Sequence, residues 1–209
     1  MSWKISKEFN FAYGHRVWVQ RLESEFALDR QCVCRHLHGH EAEVHVHLVG
    51  DKLDPQGMVT DFLHLSWLKK FFDETVDHKF IIDKNDPLFA NIVHYDFDDA
   101  PLIPCVVPET DHVAGYVLDV PMIGIMPGLP EFEYYESFFI VDFIPTSENL
   151  SKWVYDLVTP KMARLGVKVG EVEWWETKKS CARYTGPEPV YLKPAKVTRS
   201  PYDASAKRR

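Results

Sequence analysis

Two stretches near the start of the chain alternate apolar and polar residues, and a pattern of period two commits each to a strand with one face on a core. In the first, residues 3–11, Trp3, Ile5, Phe9 and Phe11 occupy odd positions, and His15 ends the same odd series behind Gly14. In the second, "HEAEVHVHLVG" from His40 to Gly50, Ala42, Val44, Val46 and Leu48 share one face while Glu41, Glu43, His45 and His47 share the other. Just ahead of it, "QCVCRHLHGH" sets Cys32, Cys34, His36, His38 and His40 at alternate positions.

Beyond these strands the period lengthens. Phe62, Leu65, Leu68, Phe72 and Val76 recur at spacings of three and four, which predicts an amphipathic helix capped by Thr60 or Asp61. A second helix is predicted over "PTSENLSKWVYDLVTPKMARLG": Thr146 or Ser147 caps it, Leu150, Trp153, Leu157 and Val158 form its stripe, and Gly166 stops it. Pro160 is expected to kink or shorten that helix. A last strand runs from Val167 to Thr177.

Between Asp83 and Phe143, prolines break up short apolar runs such as "YVLDV" and "FFIVDF", which reads as an insertion of loops and short strands at about 85–142 on a ββαα-type core. The expected organisation is one α+β domain over 1–184 and an extended or disordered basic tail over 185–209.

With 209 residues, 45% of them apolar and 13% aromatic, the chain has the material for a core of one ordinary domain. Lys and Arg number 24 against 31 Asp and Glu, and the resulting charge of −7 speaks against a nucleic-acid partner. There is no apolar run long enough to span a membrane, and "MSWKISKEFNF" lacks the pattern of a secretory signal, so a cytoplasmic location is expected. The four cysteines form no C-x-x-C pair and are expected as free thiols.

If residues 32–40 are extended, all five Cys and His side chains project to one side, yet they cannot share one ion. Same-side neighbours on a strand lie about 6.5–7 Å apart, whereas zinc holds its ligands at about 2.0–2.3 Å. Two imidazoles can converge across that gap, so His38 and His40, flanking Gly39, form the most economical clip, with His15 as the best third ligand. Three histidines and an open fourth position make a zinc site of catalytic type. His15 alone would more often be an ordinary half-buried histidine. His45 and His47 read as a solvated or interface face.

Asp77 and His78 close the first predicted helix, where the dipole favours a positive imidazole and a carboxylate can orient it for proton transfer; a simple helix-end ion pair is the competing reading. Glu176 follows an aromatic run and can grip a flat base through paired N–H donors, although most such glutamates are merely exposed.

Taken together, "FNFAYGH" (9–15), "CRHLHGH" (34–40), "GMVTDF" (57–62), "VDH" (76–78), "PTSEN" (145–149) and "ET" (176–177) resemble the 6-pyruvoyltetrahydropterin synthase and 6-carboxytetrahydropterin synthase family, in that family's order. The resemblance implies a tunnelling fold, an antiparallel sheet backed by two helices, whose subunits form barrel-forming trimers that pair as hexamers with active sites between subunits. It implies that His15, His38 and His40 bind Zn2+, that Cys34 is the proton-transferring thiol, and that Asp77 with His78 completes an acid/base relay. Glu176 would anchor the pterin ring with Thr146 near the same pocket, and the substrate would be 7,8-dihydroneopterin triphosphate.

Within the family the spacing of the thiol from H-G-H tracks the product. Cys34 lies at the compact spacing of the carboxy-forming branch, which releases acetaldehyde and triphosphate and feeds queuosine-type 7-deazaguanine synthesis. Cys32 lies at the spacing of the pyruvoyl branch, which makes a 6-pyruvoyltetrahydropterin synthase the alternative enzyme. A reading of a different class is a non-catalytic zinc-binding assembly module with a closed metal shell.

Overall fold

The computed structural model describes residues 2–23, 25–26 and 31–186, so nearly all of the tail expected at 185–209 lies outside the described residues. Strand β1, Trp3–His15, and strand β2, His38–Gly50, pair antiparallel along their whole length, from Trp3 opposite Gly50 to His15 opposite His38. This register is dictated by the alternation. Phe9, Phe11 and Tyr13 on β1 and Ala42, Val44, Val46 and Leu48 on β2 are buried on one face, and a slip of one residue would turn all of them outward.

That face is covered by helix α1, Ser66–Thr75, which follows a 3-10 turn at Phe62–Leu65. Leu65, Leu68, Phe72 and Val76 are buried as the spacing predicts, but Phe62 is exposed because the first turn is 3-10 and points it away from the sheet. The chain returns as strand β3, Lys79–Asp83, then passes through helix α2, Phe89–Val93, and strands β4, Leu102–Val106, and β5, Val113–Leu118. Helix α3, Pro130–Glu136, and strand β6, Phe138–Val141, complete the segment expected as an insertion.

Helix α4, Ser147–Ala163, begins at Thr146 and buries Leu150, Trp153, Leu157 and Val158. It runs through Pro160 rather than stopping there: the proline sits in the last turn, where little helix remains to be broken. Strand β7, Lys168–Thr177, pairs antiparallel with β2 and with an unanticipated strand β8, Ser180–Tyr184, so that the sheet order is β4-β5-β6-β3-β1-β2-β7-β8.

The sheet is therefore not wholly antiparallel. β1, β2, β7 and β8 obey the expectation, while β3 lies parallel to both β1 and β6. "KFIID" and "FFIV" lack alternation for a physical reason: Ile81 and Phe139 face the core under α1 and α4, whereas Ile82, Phe138 and Ile140 pack with Phe89, Val93 and Val120 in a second cluster. Among the described residues no helix is long and apolar enough to cross a membrane.

Candidate active site

The odd phase of β1 and the even phase of β2 carry the core, and their last members are not apolar. His15, His38 and His40 continue the buried rows of Tyr13 and Ala42 at one end of the sheet. Their rings gather with centroids 4.5 Å (His15 to His38), 5.2 Å (His15 to His40) and 5.0 Å (His38 to His40) apart. Gly39 makes the close approach of the two strands feasible, since a Cβ there would lie 2.9 Å from the Tyr13 carbonyl oxygen.

The fourth member comes from a defect in the hairpin. Between β7 and β8, Trp175 faces Cys181 and Thr177 faces Ser180, which leaves Glu176 as the extra residue of a bulge. Its Oε1 sits 3.1 Å from His15 Nε2 and 3.4 Å from His40 Nε2. When His15 is protonated, its imidazolium beside Oε1 is the main cause that lowers the Glu176 carboxyl pKa, against the opposing effect of burial.

Two of the three histidines are oriented by backbone carbonyls behind them. His15 Nδ1 is 2.6 Å from the Pro145 carbonyl and His38 Nδ1 is 2.8 Å from the His36 carbonyl. A carbonyl only accepts, so both Nδ1 atoms carry the proton and both Nε2 atoms are left as lone-pair donors. The Nε2 atoms of His15 and His40 are buried and make no hydrogen bond, and burial foremost lowers the His40 pKa, favouring the neutral imidazole that a metal requires. One donor atom from each of His15, His38, His40 and Glu176 can be chosen so that all lie within 4.8 Å of one another. Donors about 2.1 Å from a tetrahedral ion are about 3.4 Å apart, so this set fits a zinc-type cation.

Tyr13 and Trp174 form the floor. The rings of Tyr13 and His15 are 5.1 Å apart, Trp174 Nε1 donates to Tyr13 Oη at 3.2 Å, and burial drives the Tyr13 pKa well above its usual value. Neither was singled out as a site residue in the sequence, nor was the Pro145 carbonyl. The shared odd phase of Tyr13 and His15 was the available signal for Tyr13; a backbone carbonyl leaves none.

Asp77 and His78 do stand together. His78 adopts a left-handed backbone with φ 59°, its Nδ1 is 2.8 Å from Asp77 Oδ1, and its ring is exposed. Asp77 Oδ1 also accepts from Ala12 N at 3.0 Å while His78 N donates to Ala12 O at 2.7 Å, so the pair is pinned to the outer edge of β1. Asp77, His78, His40 and Glu176 line one cleft of about 950 Å³ together with Trp175 and Lys178. A second cleft of about 720 Å³ shares His40 and His78 and is lined by Leu37, His38 and Phe80.

Cys34 is placed differently from the expectation for an extended segment. Val33–Arg35 is a 3-10 turn, which takes Cys34 out of the row of histidines, and Cys32 stands at the turn's N-terminal boundary. Cys34 is half-buried and lines neither cleft of this chain. Thr146 also lines neither; its Oγ1 accepts from Asn149 N at 3.3 Å and caps α4. All four cysteines are free thiols.

Known proteins resemble this chain over most of its length. A family model described as 6-pyruvoyl tetrahydropterin synthase matches residues 4–187. A 6-carboxy-5,6,7,8-tetrahydropterin synthase of Aquifex aeolicus is 35% identical over 193 residues, 88% of this chain and 98% of the relative. The solved structure of an uncharacterized protein from Wolinella succinogenes superposes with a TM-score of 0.81 at 44% identity, over 90% of this chain and 99% of that one. The 6-pyruvoyl tetrahydropterin synthase of Caenorhabditis elegans shares the fold at a TM-score of 0.50 and 19% identity, over 90% and 97% of the two chains. Matches that cover so much of the chain take in most of the 85–142 segment, so it has counterparts in these relatives. The chain belongs to the 6-pyruvoyl tetrahydropterin synthase family.

Proposed function

We propose that the protein is a zinc-dependent lyase that converts 7,8-dihydroneopterin triphosphate and water to 6-carboxy-5,6,7,8-tetrahydropterin, acetaldehyde and triphosphate, as a step toward 7-deazaguanines. The observation that carries the reading is the convergence of three imidazoles whose backbone partners fix Nε2 as the free donor of His15 and His38. The name of the Aquifex aeolicus relative supports the carboxy-forming branch. Zinc bound by His15, His38 and His40 supplies Lewis-acid polarisation of oxygens on the substrate side chain.

The chain's own groups do the rest. Glu176 accepts N–H donors of the pterin in the cleft that it lines with Trp175. Cys34 removes a proton from the substrate side chain. His78, oriented by Asp77, gives and takes protons as the side chain is cleaved. The 1–184 unit is read as one domain with an insertion at 85–142. Copies of it assemble as a trimer or hexamer with Cys34 facing a cleft of the assembly, which reconciles the thiol's place outside the clefts of a single chain.

The test is product analysis with dihydroneopterin triphosphate. Cys34→Ala is expected to abolish acetaldehyde release while Cys32→Ala largely retains it; the reverse result would assign the thiol to Cys32 and the pyruvoyl branch. A second reading is favoured by the 3.1 Å and 3.4 Å approaches of Glu176 to His15 and His40: the carboxylate is a fourth ligand that closes the shell of a non-catalytic zinc module. Absence of any turnover in the zinc-loaded protein would select it.

A further inference from the structure

The sheet has a second group of donors on the face opposite the first. His47 on β2 stands across from Glu171 on β7, and His45 from Glu173. The register shifts at this point, where His47 faces Glu171 but Leu48 faces Val169, so Gly170 is the extra residue of a bulge. Glycine leaves room there for Val49: a Cβ would meet its Cγ2 at 2.4 Å and the valine side chain would have to shift. The bulge brings both carboxylates over one imidazole. His47 Nε2 lies 3.3 Å from Glu173 Oε1 and 3.7 Å from Glu171 Oε1, and it is buried without a hydrogen bond.

We propose that His47, Glu171 and Glu173 form a second divalent-cation site, distinct from the His15, His38 and His40 cluster, that takes a first-row ion such as Zn2+ or Mn2+ through one imidazole and two carboxylates. The spacings are those of donors around one ion, about 3.4 Å apart at bond lengths of about 2.1 Å. Trp175 Nε1 donates to Glu173 Oε2 at 2.8 Å and holds Oε1 toward His47, the role of an outer hydrogen bond that orients a ligand. The adjacent Glu8, Glu43 and His45 group is a poorer candidate, because His45 Nε2 is already engaged by Glu43 at 2.6 Å.

Two cations compete for the same oxygens. Lys4 Nζ is 3.3 Å from Glu171 Oε1 and Arg183 Nε is 3.0 Å from Glu173 Oε1. Both side chains are about half exposed, 48% and 55%, and can turn to water when an ion enters. A divalent ion would thus replace two monovalent partners at one point of charge.

Equilibrium dialysis of the chelator-stripped full chain against Zn2+, followed by metal analysis, tests the assignment. His47→Ala is expected to hold one ion fewer than the wild type, and Glu171→Gln to weaken that ion's binding at least tenfold, with unfolding midpoints measured alongside. Equal ion counts in the wild type and a folded His47→Ala overturn the proposal, whatever the first cluster binds. Should His47→Ala not fold, unchanged affinity for every ion in Glu171→Gln overturns it instead. Arg183→Ala is expected to tighten the His47-dependent ion severalfold; weaker binding would rule out Glu173 as a ligand.

Discussion

A carboxylate poised over three imidazoles has two roles open to it, and one substitution separates them. If Glu176 anchors the pterin, Glu176→Gln keeps the zinc content of the protein but weakens substrate binding, raising KM at least tenfold, since an amide presents one acceptor oxygen where the carboxylate presents two. If it is a ligand, the same variant loses metal on dialysis. The first outcome is expected, because in the proposed site the three histidines would already supply a complete set of protein ligands for a catalytic zinc. His15, His38 and His40 were legible at this scale because their phase matches the core rows on either side of them. Glu176 was legible as a residue but not in its position: a bulge is set by the pairing of β7 with β8, which a single strand's pattern does not contain.

At the scale of elements, the strap after β1 holds the turn that carries the thiol. Val17 N donates to Cys34 O at 2.7 Å, Cys34 N donates to Gln20 Oε1 at 2.9 Å, and Arg35 Nε donates to Gln20 O at 2.7 Å. The strap is in turn anchored by Trp18 Nε1 donating to Asp83 at 3.0 Å and by Arg16 beside the buried Asp86 at 3.1 Å. Gln20→Leu removes the acceptor of Cys34 N, a loss of about 0.5–1.5 kcal/mol to the turn. The expected result is a kcat lowered several-fold with zinc content unchanged, measured by acetaldehyde release and metal analysis; an unchanged kcat would show that the strap does not position the thiol. β1, β2, α1, α4 and β7 announced themselves by periodicity. β8 did not, because "SCARY" is short and gains its strand character only from pairing with β7. The 3-10 turn at Val33–Arg35 was hidden for a similar reason, being held by partners in a distant part of the chain.

For the whole molecule the decisive feature is an open edge. β1 pairs with β3 only at Tyr13 and Gly14, and the Asp77–His78 pair caps Ala12, so the outer edge of β1 before that point has no strand partner among the described residues. β8 ends the sheet on the other side. Long unpaired edges attract other strands, and in the proposed assembly one copy's β1 would pair with the next copy's β8, satisfying both and closing the sheets into a ring. Sedimentation is expected to give a mass of three or six chains, with activity falling on dilution as the assembly dissociates. A monomer that retains full activity would remove the need for a neighbouring chain.

Strand β2 is written on two interleaved tracks, His38 and His40 on one and His45 and His47 on the other, with each track matched to a different face. The stretch between the two histidine pairs can therefore change length only in even steps. Losing two residues shortens the strand by one pleat repeat, about 6.8 Å, and leaves both tracks intact. Losing one transposes everything on one side of the deletion. Insertions and deletions here are read with a frame of two, as codons are with a frame of three.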